Sequence, residues 1–399
     1  MLAIAMNDPL RIYRHRWRAW RNERRIARER RYYADRFSTL GLSLPDDATI
    51  RDALDRAVPG RRPKRRGDLS ILALYPHYNW ENYALKPALE KFGRVRHYDW
   101  CAEFDHQRPD WHKGVRARMN EALVDRVRTW VKDDKTDVIF TYLTGALITT
   151  ETAAALHSLA IPMVNLSLND KEYFVGRIVD GQAMGLRDIC RSFHLSWTST
   201  EDALIKYRVE GGTPIYLPEG ANPDIHRPCD VERIYDVTFV GQRYGNRPAV
   251  IETVRRAGID IRAFGPGWPA GPLPMEDMVR LYSQSRVSLG FGGVASHKDT
   301  FCLKGRDFEI PMSGGLYLTE HHPELEKAYR LGEEIVTYKK MDDLIDTIRH
   351  LLAHPDEAER IRRAGHARAL ADHTWEMRFE TVFHLLGVLK TGERQKMAF

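Results

Sequence analysis

Short apolar runs alternate with longer amphipathic segments along most of the chain. The runs predict β-strands, at 69–75, 95–100, 137–143 and 161–168 in the first half and at 235–241, 261–265, 285–291, 315–319 and 334–338 in the second. The amphipathic segments predict α-helices, at 82–93, 112–133, 149–158, 247–258, 275–284, 305–313, 322–330, 341–353, 355–371 and 375–390. Because strands that alternate with helices are typical of parallel sheets, and the series restarts after 226–230, we predict two consecutive α/β halves.

The first 66 residues have a different pattern. Residues 8–38 predict one helix, since Asp8 suits the N-cap and Pro9 suits the first turn. Residues 47–58 predict a shorter helix, and PGRRPKRR at 59–66 predicts an exposed linker. We therefore predict four segments: a basic helical arm and linker at 1–66, an N-terminal domain at 67–228, a C-terminal domain at 229–374, and a final helix at 375–399 that returns to the first domain.

From the composition, we do not expect this chain to span a membrane. Hydrophobic residues make up 43% of the 399 residues, and no apolar run approaches the roughly 18–20 residues that cross a bilayer. The start, MLAIAMNDPL, is too short an apolar stretch for a secretory signal. The four cysteines lie far apart and form no metal-like pair. The sequence therefore predicts a cytoplasmic protein.

Positive charge is concentrated in the arm. Residues 1–66 hold 18 Lys and Arg against 8 Asp and Glu, a net charge of +10, whereas the remainder holds 43 against 47. Eleven arginines lie between Arg11 and Arg36, with Trp17 and Trp20 among them. This composition predicts an anionic partner for residues 11–36. Two alternatives stay open: an anionic membrane surface, which would make the protein peripheral to the inner membrane face, and nucleic acid.

The stretch DVTFVGQRYGNR at 236–247 predicts a phosphate-facing loop. Gly241 directly follows an apolar strand, where a glycine lets the backbone approach a ligand closely. Arg243 and Arg247 follow at the same strand end, and the planar fork of arginine suits diphosphate oxygens. An ordinary turn with surface arginines is the alternative. No GxGxxG and no GxxxxGK[ST] is present, so neither a nicotinamide cofactor nor a P-loop is favoured.

The stretch CLKGRDFEIPMSGG at 302–315 combines cations, an acid and glycines. A helix that begins near Lys304 and Arg306 would offer free N–H groups and a positive dipole to a phosphate. Glu309, one turn further, is suited to hydrogen bonds with a ribose diol. The alternative is a helix start with solvated charges and a glycine cap at its end.

Several ordered motifs resemble a known family. FEIPMSGGLYLTE, LGEEIVTY, the segment DDLIDTIRHLLAHPDEAERIRRAGHARAL and HTWEMRF resemble the C-terminal half of GT-B glycosyltransferases, nearest to the group-1 transferases similar to the spore-maturation protein CgeB. The resemblance is strong over 235–385, weaker over 68–228, and absent over 1–60. It implies an α/β fold of two Rossmann-like domains that face each other across a cleft, with the basic helix as an extension. It also implies a nucleotide-diphosphate sugar as donor, with UDP favoured, bound by the second domain without an obligatory metal or cofactor.

The resemblance assigns roles residue by residue. Glu309 matches the ribose-binding glutamate, Lys304 and Arg306 lie where cations face the diphosphate, and Gly241 with Arg243 or Arg247 matches the phosphate-facing loop. Further donor-binding candidates are Gly265, Trp268, His297, Gly314 and Gly315. One position departs from the pattern, because many retaining relatives have a second glutamate near the donor sugar where this chain has Phe301. Whether the reaction retains or inverts configuration is therefore left open.

Three residues of the first half are candidate general bases. His77 and Glu81 follow the first predicted strand, where an acceptor-facing loop is expected, and Asp170 follows the fourth. No DxD-like cluster is suitably placed, so the sequence predicts no catalytic metal.

Taken together, these features predict a glycosyltransferase that moves a sugar to an acceptor hydroxyl on a glycan, a lipid-linked molecule or a nucleic-acid base. The alternatives are a sugar-nucleotide epimerase, a non-catalytic GT-B-like binding protein, and a DNA-binding protein that acts only through the arm.

Overall fold

The computed structural model describes residues 9–78, 80–293 and 300–390. The chain divides into two compact units. The first unit contains Tyr33–Asn222 and the segment from Trp375 onward, and the second contains Pro223–Thr374 together with the N-terminal residues up to Tyr32. Among the described helices, none is both long enough and apolar enough to cross a membrane.

The first unit is built on a parallel sheet. Its strands are β1 (Leu69–Leu74), β2 (Gly93–Tyr98), β3 (Val138–Thr141), β4 (Met163–Ser167), the short antiparallel pair β5 (Ile178–Val179) and β6 (Gln182–Ala183), β7 (Leu195–Thr198) and β8 (Pro214–Tyr216). The strand order of the parallel sheet is β2-β1-β3-β4-β7-β8. The helices are α1 (Pro9–Thr39), which begins in the second unit, α2 (Asp47–Ala57), α3 (Glu81–Glu90), α4 (Val115–Asp133), α5 (Thr150–His157), α6 (Asp170–Tyr173) and α7 (Leu204–Val209).

The core of the first unit lies on both faces of this sheet. Along β1, Ile71 packs in one apolar cluster and Leu72 in the other, because successive side chains of a strand point to opposite faces. Burial on both faces explains why the strand is apolar at nearly every position. The last helix, α14 (Trp375–Leu385), belongs to this core, where Phe379 packs on Phe140 with ring centroids 5.1 Å apart.

The second unit repeats the arrangement. Its strands are β9 (Tyr235–Val240), β10 (Ile261–Phe264), β11 (Ser285–Leu289), β12 (Tyr317–Glu320) and β13 (Val336–Tyr338), in the parallel order β10-β9-β11-β12-β13. Its helices are α8 (Arg247–Arg256), α9 (Met275–Gln284), α10 (Gly305–Met312), α11 (Pro323–Ala328), α12 (Met341–Ala353) and α13 (Pro355–Asp372). The chain crosses from β10, at one edge, to β11 on the other side of β9. The carboxyl ends of β9 and β11 therefore form a topological switch point, where ligands of such sheets bind.

The predicted strands and helices correspond to observed ones, with ends that differ by a few residues. The segment between 170 and 216 is different, because no element was predicted there and the structure has α6, β7, α7 and β8. Strand β7 has the sequence LSWT, and its Ser196 and Thr198 are buried. A short strand with polar residues gives no clear apolar run, and this explains why the sequence pattern missed it.

Candidate active site

Two arginines converge on one aromatic ring at the switch point. Arg247 is the first residue of α8 and Arg306 lies in the first turn of α10, and their guanidinium carbons lie 5.4 and 5.9 Å from the centroid of the Phe239 ring. Arg247 is buried, with 4% of its surface exposed. It donates hydrogen bonds to the carbonyl oxygen of Gln242 (2.9 Å) and to the hydroxyl of Tyr244 (3.1 Å).

Neither guanidinium of this pair has a carboxylate within ion-pair distance in the described part of the chain, although the charge of Asp307 acts on Arg306 and that of Glu320 on Arg247. Burial, followed by the nearby charge of Arg306, lowers the pKa of Arg247 to about 10. A buried cation beside a like charge is costly unless an anion joins it. The pair is therefore arranged to receive a negatively charged group.

The predicted phosphate ligand Lys304 has other partners. Its ammonium group donates to the carbonyl oxygens of Phe291 (3.3 Å), Gly292 (3.1 Å) and Gly293 (2.7 Å), which follow β11. Burial lowers the pKa of this lysine. The contacts therefore give Lys304 a positioning role, in which it holds the loop after β11 against the start of α10.

The start of α10 is fixed by Asp307. Its carboxylate accepts a hydrogen bond from the backbone N–H of Lys304 (2.6 Å) and another from the hydroxyl of Tyr317 on β12. Burial raises the pKa of Asp307. These contacts orient the N-terminus of α10, and with it Arg306, toward the carboxyl ends of the strands.

Glycines permit the tight packing of the loop after β9. Gly241 has a φ of +155°, and a Cβ there would lie 2.8 Å from Cζ of Phe239 and 3.1 Å from Nη2 of Arg306. Gly265 has a φ of +123°, and a Cβ there would lie 2.4 Å from the carbonyl oxygen of Gly241. Trp268 is buried in the apolar core and donates from Nε1 to that same carbonyl (2.9 Å). These residues shape the backbone under the arginine pair.

Arg243 and Glu309 lie on different sides of the pair. Arg243 is exposed on the loop after β9, with its guanidinium 5.6 Å from the Trp268 ring centroid. Glu309 lies three residues after Arg306 on α10, with 18% of its side chain exposed and Oε1 3.9 Å from Nε2 of His226. An accessible carboxylate one helical turn from a cation suits a ligand with both hydroxyl and phosphate groups.

A pocket of about 380 Å³ opens at the carboxyl ends of β9, β11, β12 and β13. We call it the strand-end pocket, and it is lined by Tyr244, Asn246, Arg247, Phe291, Gly293, Phe301, Glu320, His321, Tyr338 and Lys339. Arg247 is the predicted site residue that this pocket includes. Glu320 and Tyr338 were missed by the sequence analysis, although each ends a strand of a parallel sheet, which is the position where such ligands bind.

Comparison with known proteins connects this geometry to a family and a fold. Residues 247–384 match the model of the glycosyl transferase-like family. No curated protein sequence matches the chain. Sucrose-phosphate synthase from Thermosynechococcus elongatus is similar in structure, with a TM-score of 0.57 at 13% identity over 80% of this chain and 99% of that one.

Two further solved structures are similar. One is a glycosyltransferase from Rickettsia africae, with a TM-score of 0.55 at 10% identity over 80% of this chain and 99% of that one. The other is the Anabaena protein HepE in complex with UDP-glucose, with a TM-score of 0.53 at 10% identity over 80% of this chain and 100% of that one. These structures establish the GT-B fold, and the family match assigns residues 247–384 to glycosyl transfer. The protein is a GT-B glycosyltransferase.

The predicted fold class and enzyme class of this glycosyltransferase are confirmed. Its membership of the subgroup similar to CgeB stays a prediction, as do the absence of a metal and the roles of individual site residues. His297 lies outside the described residues.

The glycine pair predicted to bind the donor lies at the other end of α10. Gly314 and Gly315 donate backbone hydrogen bonds to the carbonyls of Pro311 and Ile310, both at 2.9 Å, and Gly314 has a φ of +72°. These bonds are typical of a helix C-cap. The eight residues of α10 extend about 12 Å at roughly 1.5 Å each. The two glycines are therefore separated from Arg306 by most of the helix, and their contacts are those of residues that end α10.

Asp170 of the glycosyltransferase is fully buried in the first unit. Its carboxylate accepts hydrogen bonds from the hydroxyls of Thr200 (2.9 Å) and Tyr207 (2.6 Å). Burial raises the pKa of Asp170. Because both oxygens have partners within the core, the contacts favour a structural role over that of a base.

The other two candidate bases form a local cluster. Glu81 is buried, and its Oε2 accepts the backbone N–H groups of Tyr78 (2.9 Å) and Trp80 (3.2 Å). The same oxygen lies 3.4 Å from Nδ1 of His77, whose side chain is 29% exposed. Glu81 therefore shapes the loop after β1, and His77 is the more accessible of the two.

Proposed function

We propose that the glycosyltransferase uses a UDP-sugar as donor and that Arg247 and Arg306 hold its diphosphate. The observation that carries this proposal is the pair of guanidinium groups, Arg247 buried and Arg306 partly buried, neither of which forms an ion pair with an acid in the part of the chain that the structure describes. During glycosyl transfer, negative charge builds up on the departing diphosphate. Preorganised cations and a helix N-terminus stabilise such charge more in the transition state than in the ground state. The N-terminus of α10 adds its dipole beside Arg306.

Glu309 is proposed to bind the ribose. Its carboxylate is accessible and lies one helical turn beyond Arg306, so that a diphosphate at the arginine pair would bring the adjoining ribose near it. A carboxylate accepts hydrogen bonds from two neighbouring hydroxyls at once. UDP is favoured over other nucleotides because HepE, a protein of similar fold, binds UDP-glucose and UDP.

The acceptor is proposed to bind to the first unit, with His77 as the candidate base. The anionic partner of the arm belongs to the same set of proposals. Trp17 and Trp20 are half exposed, and the guanidinium groups of Arg21 and Arg24 each lie 4.6 Å from the centroid of one of these rings. Arginines stacked on exposed aromatic rings suit phosphate groups at a membrane surface or on nucleic acid.

Calorimetry with UDP and 2′-deoxy-UDP tests the donor site. The wild-type protein is expected to bind UDP more tightly than 2′-deoxy-UDP, because the deoxy analogue lacks one of the hydroxyls from which Glu309 would accept a hydrogen bond. Loss of charge-assisted hydrogen bonds typically costs about 1.5–3 kcal/mol. Glu309→Ala should therefore weaken UDP binding about 10- to 100-fold and remove the preference over 2′-deoxy-UDP.

The control is Glu276→Ala, which removes an exposed acid from α9 and should leave both affinities unchanged. If Glu309→Ala kept the wild-type affinity and preference, the ribose assignment would be refuted. If the wild type bound none of UDP, GDP and TDP, the donor proposal itself would fail. Incubation with UDP-glucose without acceptor, followed by product analysis, separates transfer from epimerisation, because only an epimerase would convert the sugar nucleotide.

A further inference from the structure

Phe301 and Glu320 line the same pocket. Position 301 is where many retaining relatives have a glutamate near the donor sugar, and this chain has an aromatic ring there. Glu320, at the end of β12, brings a carboxylate into the strand-end pocket from a different element. The pocket therefore contains a carboxylate, although this chain has an aromatic ring at position 301.

The carboxylate of Glu320 is held in place. Its Oε2 accepts the backbone N–H of Gly293 at 3.1 Å. The carbonyl of Gly293 accepts from Lys304 at 2.7 Å, and Gly293 forms an antiparallel bridge with Phe301. Glu320 is thus joined to the backbone segment that carries the ring of Phe301. A fixed carboxylate loses less conformational freedom on binding, so it selects ligands more sharply.

The remaining lining suits a sugar ring. Tyr244, Phe291, Phe301 and Tyr338 supply aromatic surface for the apolar C–H faces of a sugar. Tyr338 is 6% exposed, and among the described residues its hydroxyl has no hydrogen-bond partner. Buried hydroxyl groups in folded proteins usually form a hydrogen bond, so this one is available to a polar group of a ligand in the pocket. The volume of about 380 Å³ lies at the lower end of the roughly 300–1,000 Å³ typical of small-molecule sites, which fits a single ring.

The pocket lies on the opposite side of the arginine pair from Glu309. On β12, Tyr317 contacts Asp307 of α10, whereas the next residue, Leu318, packs in the apolar cluster that contains residues of α8 and α12. Helix α10 therefore covers one face of the sheet, and α8 and α12 cover the other. The strand-end pocket adjoins the starts of α8 and α12, and Arg247 is part of its lining. A diphosphate at the arginine pair would have Glu309 on one side and this pocket on the other.

We propose that the strand-end pocket binds the donor sugar and that Glu320 selects it by accepting hydrogen bonds from two neighbouring sugar hydroxyls. This inference rests on the proposed function, because the diphosphate at Arg247 and Arg306 directs the sugar into the pocket. The ligand class is a neutral pyranose with a free vicinal diol, since a sugar carboxylate would be repelled by Glu320.

The test compares UDP with UDP-sugars in the Glu320→Gln variant. Glutamine has the same size and keeps an oxygen that accepts the N–H of Gly293, so the loop after β11 is retained. Calorimetry is done with UDP, UDP-glucose, UDP-galactose, UDP-N-acetylglucosamine and UDP-glucuronate. We expect Glu320→Gln to bind UDP within twofold of wild type and to bind the preferred neutral UDP-sugar about tenfold or more weakly.

A matched control is Glu324→Gln. Glu324 accepts the backbone N–H of Leu303 at 3.2 Å, so it also holds the segment before α10, but it does not line the pocket. This variant should keep the wild-type ratio of UDP-sugar to UDP affinity. UDP binding also reports whether each variant has folded.

Two outcomes would overturn the inference while the donor proposal stands. The first is that Glu320→Gln binds every UDP-sugar with wild-type affinity. The second is that Glu320→Gln loses affinity for UDP and for UDP-sugars equally, which would show that Glu320 acts on the nucleotide site. A preference of the wild type for UDP-glucuronate would also overturn it. Failure of the wild type to bind UDP or any UDP-sugar would instead refute the proposed function from which the inference starts.

Discussion

Replacing Arg247 by methionine should separate the stability of the second unit from its ability to bind the donor. Methionine has a similar length and no charge, and its thioether packs well against aromatic rings such as Phe239 and Tyr244. If the guanidinium is present for an anionic ligand, then the free protein should tolerate its removal, whereas donor binding should not.

The magnitude follows from the surroundings of Arg247. Burial and the nearby charge of Arg306 lower its pKa to about 10, well below the ordinary range of arginine, and each pKa unit corresponds to about 1.4 kcal/mol. The charged form is therefore disfavoured by about 3 kcal/mol in the free protein at every pH below about 10. The hydrogen bonds that the charged guanidinium donates to Gln242 and Tyr244 contribute about 1.5 kcal/mol each, so their loss offsets this gain. We expect the free energy of unfolding of Arg247→Met to stay within about 1 kcal/mol of the wild-type value.

Donor binding, in contrast, should be strongly weakened. Removal of one of the two cations that face the diphosphate should weaken UDP binding about 100-fold, because charge-assisted hydrogen bonds contribute about 1.5–3 kcal/mol and their loss leaves the anion near a single arginine. Urea denaturation of the ligand-free protein measures the first quantity, and calorimetry with UDP measures the second.

The control variant for this experiment is Arg256→Met on the same helix. Arg256 is exposed and pairs with Glu252, so its removal should change the unfolding free energy by less than about 0.5 kcal/mol and leave UDP affinity unchanged. A loss of about 2 kcal/mol or more in Arg247→Met would show that the guanidinium is a stabilising structural group. Unchanged UDP affinity would show that it does not bind the diphosphate. Either result would refute the reasoning.

Two further predictions concern other parts of the chain. Burial and the neighbouring His157 lower the pKa of His194 from 6.5 to about 4, and Nδ1 of His194 accepts a hydrogen bond from the N–H of Met163. The folded state therefore binds fewer protons than the unfolded state between these pH values. About 3 kcal/mol of stability should be lost as the pH falls from about 6.5 to about 4. Urea unfolding across this range should show a shallower loss in His194→Gln, and an equally steep loss would contradict the assignment. Deletion of residues 1–24 should abolish binding to an anionic partner without changing UDP affinity. Co-sedimentation with phosphatidylserine vesicles and titration of duplex DNA, each at several salt concentrations, identify that partner, and unchanged binding to both would exclude residues 1–24 as the binding element.

Apolar periodicity was sufficient to predict most of the fold. Strand β1 is buried on both faces of its sheet, so nearly every position is apolar and the run is visible in the sequence. The glycine after β9 and the charges at the start of α10 were also visible, because a strand end and a helix start are local features. The same method missed β7, because its buried residues include the polar Ser196 and Thr198, and β8, because it has only three residues.

Which of the predicted site residues meet, and what each one contacts, was decided by the tertiary structure. Lys304 and Arg306 are two residues apart, yet one binds the carbonyls after β11 and the other joins Arg247 at Phe239. Gly314 and Glu309 are five residues apart, yet the glycine lies at the far end of the helix.

Glu320 shows the same division between sequence and structure. Glu320 lies close to Phe301 because the order of the strands in the sheet brings together residues that are separated along the chain. Composition, periodicity and short motifs describe each segment by itself, and they were sufficient to predict the fold class and the enzyme class. The pairing of charges and the composition of the pocket depend on contacts between segments, and only the folded chain determines those.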